Sequence, residues 1–323
     1  MNRVFLVLIF VFSVLGCNKD NPEPSTPLEN IAGTYYKTLM TSDGEEREFI
    51  VYVPESAVGT QNVPVVVFIH GTGSTGETFH DNPNLWIPKA DEEGFITVHP
   101  TALIHCHFDN GIEKTTTKWA HGDLGETNTQ LGALPLCTNE RLANDLEFFD
   151  RMLDVLKADY LIDEKRIYIS GNSNGAGMGL RLAAERSDVF AAVAVNAGLQ
   201  SQFLDRSITT RPMSIVVTVG TNDHLFAQGI GTTIPVTINE SLINSVSAFL
   251  QLVLDVYALG ETSQYVYSEV YLGNRMTGRF LFNNSTQGNN NSFRFIVIEG
   301  FGHNYNPDLI DGYWDFLKEQ SLP

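Results

Sequence analysis

The chain has 323 residues, of which 43% are hydrophobic and 18% are charged. This composition is typical of a globular protein with a substantial core and excludes a disordered chain. The formal net charge of −18 argues against nucleic acid as a partner, because binding to phosphates needs a basic face. The length fits one large α/β domain or two small ones.

The chain opens with a predicted export signal. Arg3 precedes an apolar run, Val4–Leu15, that is too short to span a bilayer comfortably. The residues Val14–Cys17 resemble a bacterial lipobox, which predicts that residues 1–16 are a lipoprotein signal peptide and that Cys17 is the lipidated start of the mature chain. An ordinary signal peptide and an uncleaved anchor are the alternatives.

A tether is predicted over residues 17–32, because the prolines of Asn21–Pro27 keep such a segment semi-extended. With a lipid on Cys17, the tether would hold the folded part away from a membrane. We therefore expect a protein of the cell envelope that is attached to the outer membrane by its lipid anchor. Periplasmic and cell-surface orientations both remain open.

Residues 33–323 are predicted to form one domain in which strands alternate with helices. Several strands are apolar on both faces, which is typical of a mostly parallel sheet covered by helices on both sides. The predicted strands are Arg47–Pro54, Pro64–Ile69, Phe95–His99, Arg166–Ser170, Val189–Val195, Met213–Val219 and Phe293–Ile298. The predicted helices are Glu140–Leu156, one from Ala176 onward, Ser245–Tyr257 and Asp308–Gln320. The segment Pro100–Cys137 lacks periodicity and is expected to form loops near the functional site.

A nucleophile-elbow pattern, Gly171-x-Ser173-x-Gly175, lies between a predicted strand and the helix that begins at Ala176. Such a turn needs small residues on both sides of the serine because the flanking backbones nearly touch. It pushes the serine hydroxyl out of the sheet and directs the helix N-terminus at it. A chance match is the alternative, but the strand and the helix favour Ser173 as a nucleophile.

Two further candidates follow later strands. Asp223 comes after Met213–Val219 and His303 after Phe293–Ile298, so both are expected near Ser173 at the carboxyl edge of the sheet. The chain order Ser, Asp, His is that of the α/β-hydrolase fold. A histidine can take the serine proton near neutral pH, and a buried carboxylate orients its ring. A turn aspartate and a loop histidine are the alternatives.

The oxyanion hole is predicted from backbone groups. The expected donors are the N–H of Asn174, directly after the nucleophile, and the N–H of Thr72, in the glycine-rich loop after Pro64–Ile69. His70 opens that loop and is predicted to hold it by a hydrogen bond rather than to act as the catalytic base.

These motifs resemble the esterases of poly(3-hydroxybutyrate) depolymerase type, which grade into the feruloyl and acetyl xylan esterases of carbohydrate esterase family one. The resemblance covers about residues 45–305 and is strongest over Asp163–Ala176. It implies an α/β-hydrolase fold with a single catalytic domain and the catalytic residues named above. The chain departs from the family pattern at Thr72 and at Asn304–Pro307, both expected to border the substrate.

Three weaker signals lie in the loops. The run His105–His107 could bind a metal, but no matching ligand pair follows, so no metal and no cofactor are expected. With Cys17 lipidated, Cys106 and Cys137 remain as a pair that predicts a disulfide in an oxidising compartment, with two free thiols as the alternative. Trp119 is either a substrate-binding platform that stacks on a sugar or aryl group, or an anchor of its loop.

Together these features predict a serine esterase outside the cytoplasm, and the resemblance, with the surface tether, implies feruloyl or acetyl esters on plant polysaccharide as its substrates. The expected partners are an ester substrate and, through the lipid, a membrane. A depolymerase of polyhydroxyalkanoate, such as hydroxybutyrate oligomers, keeps the chemistry and changes the substrate. A non-catalytic carbohydrate-binding lipoprotein is the alternative from another class, which the intact Ser, Asp and His oppose. A serine peptidase is a lesser option.

Overall fold

A computed structural model describes residues 30–125, 134–198, 211–225, 263–272, 275–282 and 291–323. The strands of its main sheet are β1 (Gly33–Met40), β2 (Glu46–Val53), β3 (Val63–Ile69), β4 (Ile96–Pro100), β9 (Ile162–Asn172), β10 (Ala192–Asn196), β11 (Ser214–Gly220), β12 (Ser263–Leu272), β13 (Arg275–Phe282) and β14 (Phe293–Ile298). Two small sheets pair β5 (Ile104–Asp109) with β6 (Ile112–Thr117) and β7 (Leu124–Gly125) with β8 (Leu134–Pro135).

The main sheet has the order β1-β2-β4-β3-β9-β10-β11-β14-β13-β12. Its centre, from β4 to β14, is parallel, whereas β1 and β2 on one side and β13 and β12 on the other pair antiparallel. The prediction of a mostly parallel sheet is therefore confirmed. Because the central strands are parallel, their carboxyl ends all reach the same edge, where a site can be assembled.

Helices cover both faces of this sheet. They are α1 (Gly76–His80), α2 (Trp86–Glu93), α3 (Asp145–Asp159), α4 (Asn174–Glu185) and α5 (Leu309–Leu317). Helices α3 and α4 pack in one buried apolar cluster, and α2 and α5 pack in the other. None of the helices within the described ranges has the length and apolar character needed to cross a membrane.

Side chains of the central strands alternate between the two clusters. Along β3, Val65, Val67 and Ile69 join the cluster of α3 and α4, and Val66 and Phe68 join the other. Each fully buried side chain of this size contributes about 1.5–3 kcal/mol to stability. The double burial explains why such strands are apolar at every position and could be predicted from the sequence.

The folded part begins earlier than the predicted tether allows. Asn30 is buried, its Nδ2 donates to the Thr60 carbonyl oxygen at 3.2 Å, and its Oδ1 accepts from the Leu161 N–H at 2.9 Å. Asn30, three residues before the predicted boundary at residue 33, is therefore already hydrogen-bonded to the folded part. Strand β1 was not predicted because its side chains alternate between half-buried and exposed, as suits an edge strand.

Other predicted elements differ in their bounds. Helix α3 begins at Asp145 rather than Glu140, because the Asn144 side chain accepts from the Glu147 N–H and caps the helix there. The segment predicted as loops contains the β5–β6 hairpin. The predicted helix Ser245–Tyr257, the signal peptide and the lipidation site Cys17 lie outside the described residues.

Cys106 in β5 and Cys137 after β8 are joined by a disulfide, with their Cα atoms 5.4 Å apart. The Cys137 N–H also donates to the Cys106 carbonyl oxygen at 3.0 Å, so backbone and side chain both connect these segments. Closing a loop over a separation of 31 residues should stabilise the fold. The expected contribution is about 3–4 kcal/mol.

We expect a soluble form that begins after Cys17, exported to an oxidising compartment, to contain no alkylatable thiol before reduction and two after it. Intact mass with and without reduction and alkylation measures this, and the melting temperature should fall on reduction. Two alkylatable thiols in the non-reduced protein would contradict the pairing of Cys106 with Cys137.

Candidate active site

Three strand ends bring Ser173, Asp223 and His303 together. Ser173 follows β9, Asp223 follows β11 and His303 follows β14, and these parallel strands end at one edge of the sheet. The Ser173 Oγ lies 2.8 Å from His303 Nε2. His303 Nδ1 lies 2.9 Å from Asp223 Oδ1 and 2.8 Å from Oδ2. A continuous hydrogen-bonded chain therefore runs from the carboxylate to the serine hydroxyl.

The hydrogen-bond pattern assigns the proton of the His303 ring. Asp223 is fully buried, and its carboxylate can only accept, so His303 Nδ1 carries the proton and Nε2 faces the Ser173 hydroxyl as an acceptor. Asp223 Oδ1 also accepts from the Leu225 N–H at 2.9 Å, which fixes the plane of the carboxylate. This is the protonation state in which the imidazole can take the serine proton.

Ser173 adopts a sparsely populated backbone conformation, with φ 55° and ψ −120°. Such a residue costs about 1–3 kcal/mol and is tolerated where the surrounding structure imposes it. A Cβ on Gly171 would lie 2.7 Å from the Gly175 carbonyl oxygen, and one on Gly175 would collide with the carbonyl oxygens of Ile69 and His70. Close approach of β3, β9 and α4 therefore requires both elbow glycines, for the physical reason that the sequence predicted.

The loop after β3 passes directly over the elbow. A Cβ on Gly71 would lie 3.2 Å from the Ser173 Cβ. Thr72 follows Gly71, and Asn174 is the first residue of α4, so the two predicted oxyanion donors lie on the two segments that meet here. The first N–H groups of a helix have no acceptor within it and, with the helix dipole, favour a negative charge.

His70 holds this loop in place, as predicted. Its ring is fully buried, its Nδ1 donates to the Gly71 carbonyl oxygen at 2.7 Å, and its Nε2 accepts from the Ala102 N–H at 3.0 Å. Burial lowers the pKa of His70 to about 4, so the ring is neutral near physiological pH. His70 thus connects the loop after β3 to the chain after β4.

Trp119 offers no stacking surface, because its side chain is fully buried. Its Nε1–H donates to the His70 carbonyl oxygen at 3.0 Å, and its ring packs against Phe148 and Phe149 of α3. The prediction of a substrate-binding platform is therefore wrong, and the structure supports the alternative of a loop anchor. Burial of an indole is favourable only when its N–H finds an acceptor, which the His70 carbonyl supplies.

Asn196 is a site residue that sequence reasoning missed. Its Nδ2 donates to the carbonyl oxygen of Asn304, the neighbour of His303, and to Asn172 Oδ1, both at 2.9 Å. Its Oδ1 accepts from the Thr218 hydroxyl at 2.9 Å. A detectable signal was present, because a polar residue that ends a wholly apolar buried strand needs a partner at the carboxyl edge of the sheet.

Tyr305 anchors the His303 loop from the other side. Its hydroxyl accepts from the Trp86 Nε1–H at 3.0 Å and lies 3.3 Å from Ser170 Oγ. Burial raises the pKa of Tyr305, so it stays a neutral phenol. The phenol that was expected to border the substrate thus bonds inward and holds the loop to the cluster of α2 and α5.

Residues 55–247, more than half of the chain, match the family model described as Phospholipase/Carboxylesterase. The chain belongs to this family. Its fold is that of the α/β-hydrolases, as predicted. It is similar to an acetyl xylan esterase from Aspergillus awamori, with a TM-score of 0.55, 15% identity, and coverage of 89% of this chain and 99% of that one. It is also similar to an S-formylglutathione hydrolase from Agrobacterium tumefaciens, with a TM-score of 0.54, 13% identity, and coverage of 91% and 98%.

Relatives of this phospholipase/carboxylesterase family member fall in the groups that its motifs resemble. It is 26% identical to acetylxylan esterase A of Emericella nidulans over 60% of the chain and 54% of that protein. It is 30% identical to poly(3-hydroxyalkanoate) depolymerase C of Paucimonas lemoignei over 42% of this chain and 28% of that protein. It is 25% identical to a bifunctional acetylxylan esterase/xylanase of Neocallimastix patriciarum over 56% of this chain and 22% of that protein. The chain thus spans between about a fifth and just over half of these relatives.

Among the described residues of this carboxylesterase-family chain, two groups of side chains have the spacing of metal ligands. Ligand atoms of Asp223, His224 and His303 lie within 4.8 Å of one another, but Asp223 and His303 already bond to each other within the triad. In the second group, formed with Glu113, both sulfurs belong to the disulfide between Cys106 and Cys137. In the described part of the chain, neither group is assigned to a metal.

Buried neutral histidines make the fold of this family member sensitive to acid. His99 is fully buried with its Nε2 bonded to the Thr97 hydroxyl at 3.0 Å. Burial, with a smaller effect of His80, lowers the pKa of His99 to about 3. A histidine with a lowered pKa in the folded state takes up a proton on unfolding between the folded value and its ordinary value of 6.5. Its contribution to stability is therefore complete above about pH 6.5 and is lost as the pH falls towards 3.

We expect His99→Gln to reduce the acid sensitivity of the fold. Each proton taken up on unfolding changes the free energy of unfolding by about 1.4 kcal/mol per pH unit. The wild-type free energy of unfolding in urea should therefore fall more steeply from about pH 6.5 to about pH 4.5 than that of the variant. Parallel curves for the two proteins would contradict a neutral buried His99. Val98→Ala is the control, because Val98 is a buried residue of the same strand that does not titrate: it should lower the free energy of unfolding at every pH and keep the wild-type slope.

Proposed function

We propose that the protein is a serine esterase that hydrolyses carboxylic esters outside the cytoplasm. The observation that carries this proposal is the chain of hydrogen bonds from Asp223 through His303 to Ser173, next to an elbow under backbone strain. A serine hydroxyl is a poor nucleophile until a base takes its proton, and His303 Nε2 lies 2.8 Å away, in position to take it. Membership of the phospholipase/carboxylesterase family supports the same reaction class.

The reaction would proceed in two halves. Ser173 Oγ attacks the ester carbonyl carbon while its proton passes to His303 Nε2, and the carbonyl oxygen becomes an oxyanion facing the N–H groups of Thr72 and Asn174. The tetrahedral intermediate collapses, and His303 returns the proton to the departing alcohol. A water molecule then attacks the acyl-enzyme, with His303 taking its proton and returning it to Ser173, which releases the acid. Asp223 stabilises the imidazolium in both halves.

Feruloyl or acetyl esters on plant polysaccharide are the proposed substrates. The support is that acetylxylan esterases recur among the relatives and that an acetyl xylan esterase shares the fold. Polyhydroxyalkanoate is the alternative, favoured by the depolymerase of Paucimonas lemoignei at 30% identity. A non-catalytic carbohydrate-binding lipoprotein would have no use for the assembled triad.

The proposed place of action is the cell envelope, with the chain anchored in the outer membrane through a lipid on Cys17. This rests on the lipobox-like residues before Cys17 and on the tether that follows it. Labelling of the wild type but not of Cys17→Ala with a radioactive fatty acid, followed by membrane fractionation, tests it. Absence of label on a wild type that stays in the membrane fraction would contradict the lipid anchor and favour an uncleaved leader.

A panel of esters tests the function. The soluble form should be assayed on p-nitrophenyl acetate, methyl ferulate, acetylated xylan and hydroxybutyrate oligomers, with Ser173→Ala as the blank. We expect turnover of the simple ester and a higher kcat/KM for one of the plant esters than for the hydroxybutyrate oligomers. The reverse order selects the polyhydroxyalkanoate alternative, and no turnover of any ester above the Ser173→Ala blank contradicts the esterase proposal.

A further inference from the structure

We propose that the side chains of Asn174, Trp119 and His70 form an oxyanion clamp, which fixes the distance between the two backbone donors of the oxyanion hole. The clamp links Asn174 at the start of α4 to the loop that carries Thr72, through hydrogen bonds at 2.7–3.1 Å. This proposal rests on the proposed function, because the donors matter only if an oxyanion forms. It makes Asn174, through its side chain, a positioning residue.

The need for a clamp follows from where the donors lie. One N–H belongs to Asn174 in α4 and the other to Thr72 after β3, so no single element of secondary structure sets their separation. Each donor must come within about 3 Å of the developing oxyanion, and losing one such donor costs about 10²–10³ in kcat. The two segments pack closely at Gly71 and Ser173, but a van der Waals contact has no preferred direction and does not by itself fix the distance between the two donors.

The first link of the clamp is the Asn174 side chain. Its Oδ1 accepts from the Trp119 N–H at 2.7 Å, and its Nδ2 donates to the Trp119 carbonyl oxygen at 3.1 Å. Asn174 is 5% exposed, and both polar ends of its amide are paired with the backbone of one distant residue. The predicted oxyanion donor is the backbone N–H, which any residue except proline would supply, so the amide side chain has a separate use.

The second link is the Trp119 indole. Its Nε1–H donates to the His70 carbonyl oxygen at 3.0 Å, directly at the peptide that leads into Gly71. The ring is fully buried and packs in a tilted contact with the His70 imidazole, with ring centroids 5.2 Å apart. A single residue therefore joins the start of α4, through its backbone, to the oxyanion loop, through its side chain.

The third link is the His70 imidazole. It donates to the Gly71 carbonyl oxygen and accepts from the Ala102 N–H, which pins the peptide before Thr72. With the loop held at the carbonyl groups of both His70 and Gly71, the Thr72 N–H has little freedom to turn. At Gly71 the loop also packs directly on Ser173, the residue before Asn174, so the three links and this contact form one closed ring of interactions.

The clamp is itself tied to the core. The Ala120 N–H, next to Trp119, donates to Asp145 Oδ2 at 2.7 Å, and Asp145 pairs with the buried Arg47 at 2.8 Å. The Arg47 guanidinium lies 4.0 Å from the centroid of the Phe148 ring, which also stacks on Trp119. Trp119 is therefore held in place by the core, and its hydrogen bonds fix the positions of both donor segments relative to it.

Two single variants test the clamp. One is Asn174→Ala. In the other, Trp119 is replaced by benzothienylalanine, which keeps the shape of the ring and lacks the N–H. Both keep the backbone donors, so the effect should come from displacement of the donors. We expect kcat on p-nitrophenyl acetate to fall about 10- to 100-fold with KM changed by less than about 3-fold, since a shift of about 1 Å can cost 10² in rate. The affinity for a trifluoromethyl ketone, whose adduct with Ser173 carries an oxyanion, should weaken by the same factor as kcat/KM.

Leu182→Ala is the matched control, because Leu182 is a buried residue of α4 outside the clamp. It should lower the melting temperature at least as much as Asn174→Ala and leave kcat within about 2-fold of wild type when assayed well below the melting temperature. The double variant of Asn174 and Trp119 should lose about as much activity as the worse single variant, since both break the same ring of interactions.

The proposal is overturned if Asn174→Ala keeps wild-type kcat and wild-type affinity for the ketone, or if Leu182→Ala loses as much kcat as the clamp variants. The proposed function is judged separately, by wild-type turnover against the Ser173→Ala blank. An active wild type with an equally active Asn174→Ala variant sinks the clamp alone. A wild type that hydrolyses no ester would contradict both the clamp and the proposed function, because no oxyanion would then form between the two donors.

Discussion

Replacing Ser173 by alanine should reduce kcat for ester hydrolysis by about 10⁶-fold and leave the fold unchanged. The hydroxyl removed is the group in line with His303 Nε2 at 2.8 Å, so the attack on the carbonyl carbon loses its nucleophile. The strained backbone at residue 173 is imposed by the packing of Gly171 and Gly175, which the substitution does not touch. Initial rates on p-nitrophenyl acetate and the melting temperature measure the two parts of this prediction.

A second serine provides the control for Ser173→Ala. Ser214 is buried at the amino end of β11, opposite to the site, where its Oγ accepts from the Ser292 N–H. Ser214→Ala should keep kcat within about 2-fold of wild type, because the substitution removes no catalytic group. The loss of one such hydrogen bond should lower stability by about 1 kcal/mol. More than a few per cent of wild-type activity in Ser173→Ala would instead require another nucleophile.

The parts of the fold that the sequence predicted are those fixed by local pattern. Strands β3, β11 and β14 were placed within one residue at each end because both of their faces are buried, which favours apolar residues at most of their positions. The edge strand β1 and the hairpin of β5 and β6 lack that pattern, because many of their side chains face solvent. Their pairing depends on neighbours that local periodicity cannot reveal.

The triad could be predicted for a related reason. Parallel strands end at a common edge, so three polar residues that each follow a buried strand are brought together without any knowledge of loop structure. Ser173, Asp223 and His303 meet this condition, and the structure places them in hydrogen-bonding contact. Their catalytic roles remain the proposal that the activity measurements test.

The residues that support the site left a weaker trace. Trp119 and Asn174 are separated by 55 positions, and their contact joins a side chain to a backbone, which any residue carries. No rule of spacing marks such a pair, so Trp119 could be read as a substrate platform until its burial was known. Asn196 was in principle detectable, since it ends a strand that is otherwise apolar.

The pH dependence of the reaction should follow the state of the triad histidine. His303 must be neutral at Nε2 to accept the Ser173 proton, so kcat/KM should rise with pH through a single acid limb and then level. The assay must stay within the pH range in which the fold is stable, because buried His70 and His99 favour unfolding in acid. A fall in kcat/KM between about pH 5 and about pH 8 would exclude a neutral imidazole base.

Replacing Asp223 by asparagine should lower kcat by about 10⁴-fold, although the side chain keeps its shape. The Leu225 N–H donates to Oδ1, so the amide oxygen of the variant should occupy that position, 2.9 Å from His303 Nδ1, and its NH₂ group should replace Oδ2, which lies closer to Nδ1 at 2.8 Å. An NH₂ donor there favours the tautomer with its proton on Nε2, which can no longer accept from Ser173. The variant also lacks the negative charge that stabilises the imidazolium. Asp223→Ala is the comparison: if the wrong tautomer is the cause, asparagine should be no more active than alanine, with both melting temperatures recorded. A near-wild-type Asp223→Asn would instead place the triad carboxylate on another loop.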